Sequence, residues 1–132
     1  MKRIKLKNEI KEKLRKNGVL IVYIFGSYIL EKTRKNSDID IGIVFKEKVS
    51  KDIHKYIELY KIFSDVFKDR EIDIVFLNNA DLTLKFDVVN NGKVIYEREK
   101  FISFDYKEKV IKEYIDCKYL MEESEKVLIE SL

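Results

Sequence analysis

An unbroken apolar run near the amino end of the chain does most to narrow the folds that it can adopt. Residues 19–25 read Val-Leu-Ile-Val-Tyr-Ile-Phe, which is the length of a strand and is rich in β-branched and aromatic side chains. Neither face of such a strand is polar, so both faces must be covered. The run therefore predicts a central, covered strand, and Gly26 and Ser27 end it.

Helix-like and strand-like patterns alternate along the rest of the chain. Leu6, Ile10 and Leu14 recur at four-residue steps among charged residues, which predicts a first helix that ends at Asn17 and Gly18. Alternation with short connections predicts an α/β (α+β) domain whose sheet is covered by helices, with ligands at the carboxyl ends of its strands. The other predicted strands are residues 38–45, 71–77 and 94–96, and the other predicted helices begin at Ser50, at Asn78 to Asp81 and at about Phe101, the last running to the end of the chain.

Apolar spacing also predicts which side chains of these helices pack in the core. One face of the second helix is predicted to be buried, and His54 on the same helix is predicted to be exposed. The last helix is predicted to pack through a seam that buries Cys117 as a structural thiol. The predicted core residues are Ile53, Tyr56, Ile57, Tyr60, Phe63 and Phe67 on the second helix, and Val110, Tyr114, Cys117 and Met121 on the last.

Composition limits the classes of function that remain open. A chain of 132 residues predicts one domain over 1–132, and 27 basic against 24 acidic residues give a net charge of +3, too small to indicate a nucleic-acid partner. Cys117 is the single cysteine, so an intrachain disulfide is excluded. No apolar run approaches the roughly 18 residues of a membrane span, and no signal-peptide core follows the basic amino end, so we expect a cytoplasmic protein.

Three aspartates occupy strand positions that a core would normally fill with apolar side chains. Asp38 and Asp40 are two residues apart, so their side chains leave the same face of the predicted strand and repel each other unless a cation holds them. Asp73 stands at the matching point of the next strand, between Ile72 and Ile74. Oxygen ligands without His or Cys suit Mg²⁺, so the three aspartates predict a site for two such ions.

A second feature lies where the first strand ends. Gly26 lets the backbone approach a phosphate closely, and Ser27 offers a hydroxyl at the start of a predicted helix, whose free N–H groups favour anions. Ten residues separate Ser27 from Asp38, which gives the pattern G-S-x10-D-x-D. Either motif alone is weak evidence, but the combination predicts a nucleoside triphosphate next to a metal site.

These motifs resemble those of the minimal nucleotidyltransferases of the DNA polymerase beta superfamily, in particular the MntA-type antitoxins paired with HEPN toxins. The resemblance covers roughly residues 15–130 and implies a small mixed sheet covered by helices, with a long carboxyl-terminal helix. At the places where many relatives carry a basic residue and Gly-Thr, this chain has Leu30, Glu31 and Lys32. Lys32, Arg34 or Lys35 could supply the charge. The matching segments are Phe25 to Ser27, Ser37 to Asp40, Ile72 to Asn78 and Asn90 to Glu97.

The resemblance also implies a reaction. Gly26 and Ser27 would bind the phosphates of ATP, Asp38 and Asp40 would bind both Mg²⁺ ions, and Asp73 would complete the site. The acceptor would be a tyrosine hydroxyl of a partner HEPN ribonuclease toxin, which adenylylation would silence, with residues 99–132 as a possible partner-binding helix in a hetero-oligomer. Two alternatives stay open: an antitoxin that acts by binding alone, and a transferase that acts on a small molecule or RNA.

Overall fold

The computed structural model describes residues 4–26, 38–47, 53–68 and 70–130, and its elements follow the predicted alternation. Each predicted boundary that falls on described residues lies within three residues of the observed one, while Ser50, the predicted helix cap, lies outside them. The elements are α1 (Asn8–Lys16), β1 (Val19–Phe25), β2 (Ile39–Phe45), α2 (Ile53–Val66), β3 (Ile72–Phe76), a short 3-10 turn (Leu77–Asn79), α3 (Leu82–Asn91), β4 (Lys93–Glu97) and α4 (Ile102–Glu130).

The four strands form one mixed sheet in the order β3-β2-β1-β4. β1 pairs antiparallel with β2 and with β4, whereas β2 and β3 are parallel. Consequently the carboxyl end of β1 lies beside the amino ends of β2 and β3. The aspartates therefore lie at the amino ends of β2 and β3, and not at the carboxyl ends where a ligand was predicted, because the chain reverses between the antiparallel strands β1 and β2.

Helices cover both faces of the sheet, as predicted from the apolar run in β1. Val22 and Ile24 pack on the side of α1 and α2, together with Leu14 and Phe63. Ile21 and Tyr23 face the opposite side, where the buried residues of α3 and α4 are Val88, Val89 and Val110. All four β1 residues are at most 2% exposed. β1 is thus a central strand in a three-layer arrangement, and it fixes the position of Gly26 at its end.

The predicted core face of α2 is wrong in part. Phe63 and Phe67 are buried, but Ile53, Tyr56, Ile57 and Tyr60 are between 36% and 66% exposed. The side chains that α2 buries completely or nearly so are Leu59, Ile62 and Phe63. The helix carries two adjacent apolar stripes, and spacing alone cannot say which one faces the sheet. We call the exposed set, Ile53, Tyr56, Ile57 and Tyr60, the α2 stripe; His54 is exposed, as predicted.

The predicted seam of α4 is correct only over its first half. Val110 is buried, and the half-buried ring of Tyr114 stacks on Phe86 of α3 with 3.9 Å between the ring centroids. Cys117 and Met121 are exposed, as is every residue from 115 to 126. With 29 residues α4 is about 43 Å long, roughly twice the length of the strands that it covers, so its second half has no sheet to pack on. No helix among the described residues is long and apolar enough to cross a membrane.

Exposure of Cys117 has a direct chemical consequence. We expect its thiol to react with a disulfide reagent such as DTNB in the native protein nearly as fast as in urea, because no packed side chain shields it. One thiol per chain should be titrated before any unfolding occurs. Slow reaction that needs denaturant would show instead that the thiol is covered in solution.

Candidate active site

The sheet brings Asp40 and Asp73 side by side. Asp40 of β2 and Asp73 of β3 are register partners in the parallel pair, so their backbones are about 4.8 Å apart. Both side chains point to the face covered by α3 and α4, since they alternate with Ile39 and Ile72, which pack on the other face. Asp38 lies just before β2, two residues from Asp40, and its charge acts on the Asp40 carboxyl. The structure therefore brings the three predicted aspartates to the same end of the sheet.

The three carboxylates differ in their surroundings. Asp38 and Asp73 are exposed, whereas Asp40 is half-buried in a strand whose other residues are all buried. Burial raises the pKa of the Asp40 carboxyl above its ordinary value of 3.8, and the neighbouring carboxylates of Asp73 and Asp38 raise it further. Each of these causes disfavours the negative charge of Asp40. A bound cation would offset the repulsion of the Asp40 carboxylate by Asp73 and by Asp38.

The raised pKa makes a prediction about stability. Folding disfavours the ionised form of Asp40, so stability declines as the pH rises above the ordinary value of 3.8, and at neutral pH the carboxylate destabilises the fold. We expect Asp40→Asn to raise the melting temperature of metal-free protein by about 1 to 4 °C at neutral pH, since it removes the like charge. Calorimetry over a pH series should show this gain disappear toward acid pH. A variant that melts below the wild type at neutral pH would contradict the prediction.

The backbone at Gly26 passes so close to the Asp40 side chain that only glycine fits there. It follows Phe25, the register partner of Asp40 across the β1–β2 hairpin, and it has a φ of 82°, in the left-handed region that favours glycine. A Cβ atom added to Gly26 would overlap a carboxylate oxygen of Asp40. Glycine is therefore required on two grounds, and the backbone after β1 passes directly beside the aspartates. Ser27 and residues 28–37, which include Lys32, Arg34 and Lys35, lie outside the described residues, so their roles stay predictions.

Asn78 is a positioning residue whose role the sequence alone did not reveal. Its side-chain oxygen accepts a hydrogen bond from Phe45 N–H at 2.8 Å, and its amide donates to the Phe45 carbonyl at 3.0 Å. These two hydrogen bonds connect the turn after β3 to the end of β2. They help to set the register of β2 and β3, in which Asp73 lies beside Asp40. The sequence feature that could have indicated this role is a side-chain amide directly after an apolar strand. The turn from Asn78 to Asp81 was predicted to begin a helix, and within it Asp81 caps α3, since its carboxylate accepts a hydrogen bond from Leu84 N–H at 2.8 Å.

Whether the site suits a metal depends on its donors. No group of three or more His, Cys, Asp or Glu side chains in the described part of the chain is already arranged to hold an ion. The chemistry of the donors nevertheless fits a hard divalent cation, because Asp40 and Asp73 are in register on adjacent strands and offer carboxylate oxygens alone. The space left by the missing Cβ of Gly26 lies beside the same carboxylates. The residues present are therefore compatible with Mg²⁺.

This arrangement agrees with a known family. Residues 8–101 match the family described as "Polymerase beta, Nucleotidyltransferase", which is more than half of the chain. The chain belongs to this nucleotidyltransferase family. The predicted fold class and the resemblance to MntA-type proteins are both confirmed.

Individual relatives narrow the comparison. The chain is 32% identical over 91 residues to "Protein adenylyltransferase MntA" of Shewanella oneidensis, and this match spans 67% of the chain and 63% of that relative's length. A solved toxin–antitoxin structure with AMP-PNP has a TM-score of 0.67 and 26% identity, covering 94% of this chain and 98% of the other. A tri-AMPylated HEPN toxin from the same organism in complex with MNT antitoxin has a TM-score of 0.61 and 25% identity, covering 93% and 92%.

A third structure concerns aspartates at the same spacing. It is an MntA–HepT complex in which two aspartates, two positions apart, are replaced by glutamates. Its TM-score is 0.66 and its identity 25%, and the match covers 95% of this chain and 98% of that one. The spacing is that of Asp38 and Asp40.

Proposed function

We propose that this nucleotidyltransferase is a Mg²⁺-dependent protein adenylyltransferase that moves AMP from ATP to a tyrosine hydroxyl of a partner HEPN toxin. The observation that carries the proposal is the register pair of Asp40 and Asp73 beside the glycine turn at Gly26. The names of the relatives support it, since one is a protein adenylyltransferase and one complex contains an AMPylated toxin. We also propose that the protein acts in the cytoplasm and that it forms a hetero-oligomer with the toxin.

Each residue of the site has a defined part in this reaction. Asp38, Asp40 and Asp73 would hold Mg²⁺, which when bound neutralises charge on the triphosphate and lowers the pKa of the attacking hydroxyl. Gly26 leaves room beside Asp40 for the phosphates to approach the backbone, and Ser27 is predicted to donate its hydroxyl to them. The acceptor oxygen forms a bond to the α-phosphorus, the bond from that phosphorus to the bridging oxygen breaks, and diphosphate leaves. The hydroxyl proton passes to solvent, and no covalent enzyme intermediate forms.

The direct test is transfer to the partner. The protein is mixed with the product of the adjacent gene, ATP labelled at the α-phosphate, and Mg²⁺, and label on the partner is followed by gel and by mass spectrometry. We expect an added mass of AMP on a tyrosine, lost when EDTA replaces Mg²⁺. Label from γ-labelled ATP, or none at all with an active partner, would contradict the proposal.

A second function is favoured by one observation. The second half of α4 exposes Ile115, Tyr119, Leu120 and Met121, which a toxin could cover without any chemistry. Neutralisation by contact alone predicts that an Asp38→Asn, Asp40→Asn double variant still protects cells from the toxin. Loss of protection with the complex intact would exclude it and leave the catalytic proposal.

A further inference from the structure

The last turn of α3 lies beside the glycine turn of the candidate active site. Gly92, which ends α3, approaches β1 so closely that a Cβ atom there would lie 3.3 Å from the Ile24 carbonyl oxygen. The next residue, Lys93, is the register partner of Ile24, and Ile24 stands two positions before Gly26. The carboxyl end of α3 is therefore at the end of the sheet that carries Asp40 and its neighbours.

One flank of α3 faces the aspartates. Leu84 lines a groove of about 610 Å³ together with Val75 of β3, and Val75 leaves its strand on the same face as Asp73, two residues earlier. Asn91 follows Leu84 by seven residues, which is about two helical turns, so it leaves α3 on the same flank. This step advances about 10.5 Å along the helix toward the aspartates, whereas Val75 and Asp73 are about 6.6 Å apart along β3. Asn91 therefore reaches the level of Asp73 and the space beyond it.

A hydrogen bond fixes the orientation of the Asn91 side chain. Its amide nitrogen donates to the Asp87 carboxylate at 2.7 Å. An ionised carboxylate can only accept, so the amide nitrogen and not the amide oxygen faces Asp87. Both residues are exposed, which leaves the carbonyl oxygen and the second N–H of the Asn91 amide open to a ligand. Asn91 thus offers one donor and one acceptor side by side, held in a defined direction.

We propose that Asn91 recognises the base of the nucleotide and selects adenine over guanine. Adenine carries an amino donor at N6 next to an acceptor at N7, which a single side-chain amide matches with two hydrogen bonds. Guanine carries acceptors at both O6 and N7, so the carbonyl oxygen of Asn91 would face another oxygen and lose its hydrogen bond. The inference rests on the proposed use of a nucleoside triphosphate, with its phosphates at Gly26 and its base turned toward α3.

Asp87 is a positioning residue in this proposal, because it contacts the amide of Asn91 and not the base. A pair of this kind, four residues apart on a helix, also stabilises the helix slightly whether or not a ligand is bound. That structural contribution would change the stability of α3, but it gives no reason to distinguish adenine from guanine. The ratio of the affinities for the two bases therefore separates base recognition from helix stability.

Binding of nucleotide analogues to the full chain tests this proposal without any transfer step. Isothermal titration calorimetry in the presence of Mg²⁺ compares the α,β-methylene analogues of ATP and GTP, whose altered bridge blocks nucleotide transfer. We expect the wild type to bind the adenine analogue more tightly by about 10-fold or more. Asn91→Leu should bring the two affinities together by weakening the adenine analogue alone.

Two further positions provide the matched variants. Asp87→Ala should lower the ratio of the two affinities, whereas Asp87→Asn, which keeps an acceptor for the Asn91 amide, should preserve it. The control is Asn90→Leu, because Asn90 is an exposed asparagine of α3 that lines a groove with Tyr114 of α4 on the other flank. This control should keep the wild-type ratio.

Several outcomes would overturn the proposal: a wild type that binds neither analogue, binds both equally or prefers guanine, an unchanged ratio in Asn91→Leu, or an equal fall in Asn90→Leu. An unchanged ratio in Asp87→Ala would overturn the positioning role. Each ratio compares two ligands on one protein sample, so a smaller folded fraction in a variant cancels.

The label-transfer assay separates this inference from the proposed function. Adenine-selective binding without transfer to the toxin would contradict only the proposed function. Transfer of AMP and GMP to the toxin at equal rates would contradict only the recognition of the base by Asn91.

Discussion

Replacement of Asp40 by asparagine is expected to lower the rate of AMP transfer by about 10³-fold or more while leaving the fold intact. Asp40 pairs in register with Asp73, lies beside Gly26 and is influenced by the charge of Asp38, so it is the carboxylate with the most neighbours in the described part of the site. An asparagine keeps the shape of the side chain but removes the charge that binds the cation. The measurement is the initial rate of label transfer from α-labelled ATP to the partner toxin.

The expected rise in the melting temperature of Asp40→Asn separates a loss of catalysis from a loss of folding. Asp40→Asn is expected to melt slightly above the wild type without metal, so lost transfer cannot be attributed to unfolding. Asp65→Asn, a change of the same type at an exposed position of α2, serves as the control and should keep full activity. Transfer by Asp40→Asn within tenfold of the wild type would exclude the carboxylate cluster as the catalytic centre.

Replacement of Gly26 by alanine should damage both stability and transfer. The left-handed backbone costs an alanine about 1 kcal/mol, and the new methyl group must displace the Asp40 carboxylate. We therefore expect the free energy of unfolding to fall by about 2 to 4 kcal/mol in total. Displacement of Asp40 should lower transfer by about 10²-fold even where the protein is folded. Urea unfolding and the labelled-ATP assay measure the two effects.

Gly18 provides the matched control for the backbone term. It has a φ of 75°, close to that of Gly26, but a Cβ atom there would meet nothing within 4 Å. Gly18→Ala should therefore show the strain of about 1 kcal/mol and unchanged transfer. If Gly26→Ala and Gly18→Ala lost the same stability and both transferred AMP at the wild-type rate, the close contact between Gly26 and Asp40 would not contribute to catalysis.

The sequence was sufficient for the parts of the site that local patterns determine. The apolar run of β1 predicted a central strand because both of its faces lack polar residues, and the Asp38-x-Asp40 spacing placed both side chains on one face. Asp73 could be placed at the matching point of the next strand, but its register with Asp40 depends on a parallel pairing that the sequence does not specify. Which end of the sheet carries the aspartates could not be predicted, because it depends on the antiparallel pairing of β1 and β2.

Amphipathic spacing was least informative where a helix carries more than one apolar face. In α2 the spacing of Ile53, Ile57 and Tyr60 is as regular as that of the buried Leu59 and Phe63, and only the sheet decides which set is covered. In α4 the regular seam continues to Met121 although the strands beneath it end earlier. Hydrophobic periodicity reports that a face is apolar, and the surrounding fold determines what that face contacts.

The mixed pairing of the sheet also implies an order in which the site can form during folding. Gly26 and Asp40 are 14 positions apart in the sequence, so bringing them together in the β1–β2 pair costs less chain entropy than adding β3. Asp73 arrives only after the chain has crossed over through α2 and docked β3 alongside β2, a contact of much longer range. A chain that has paired only β1 with β2 would hold two of the three predicted cation ligands, and high-affinity metal binding should therefore report the completed crossover.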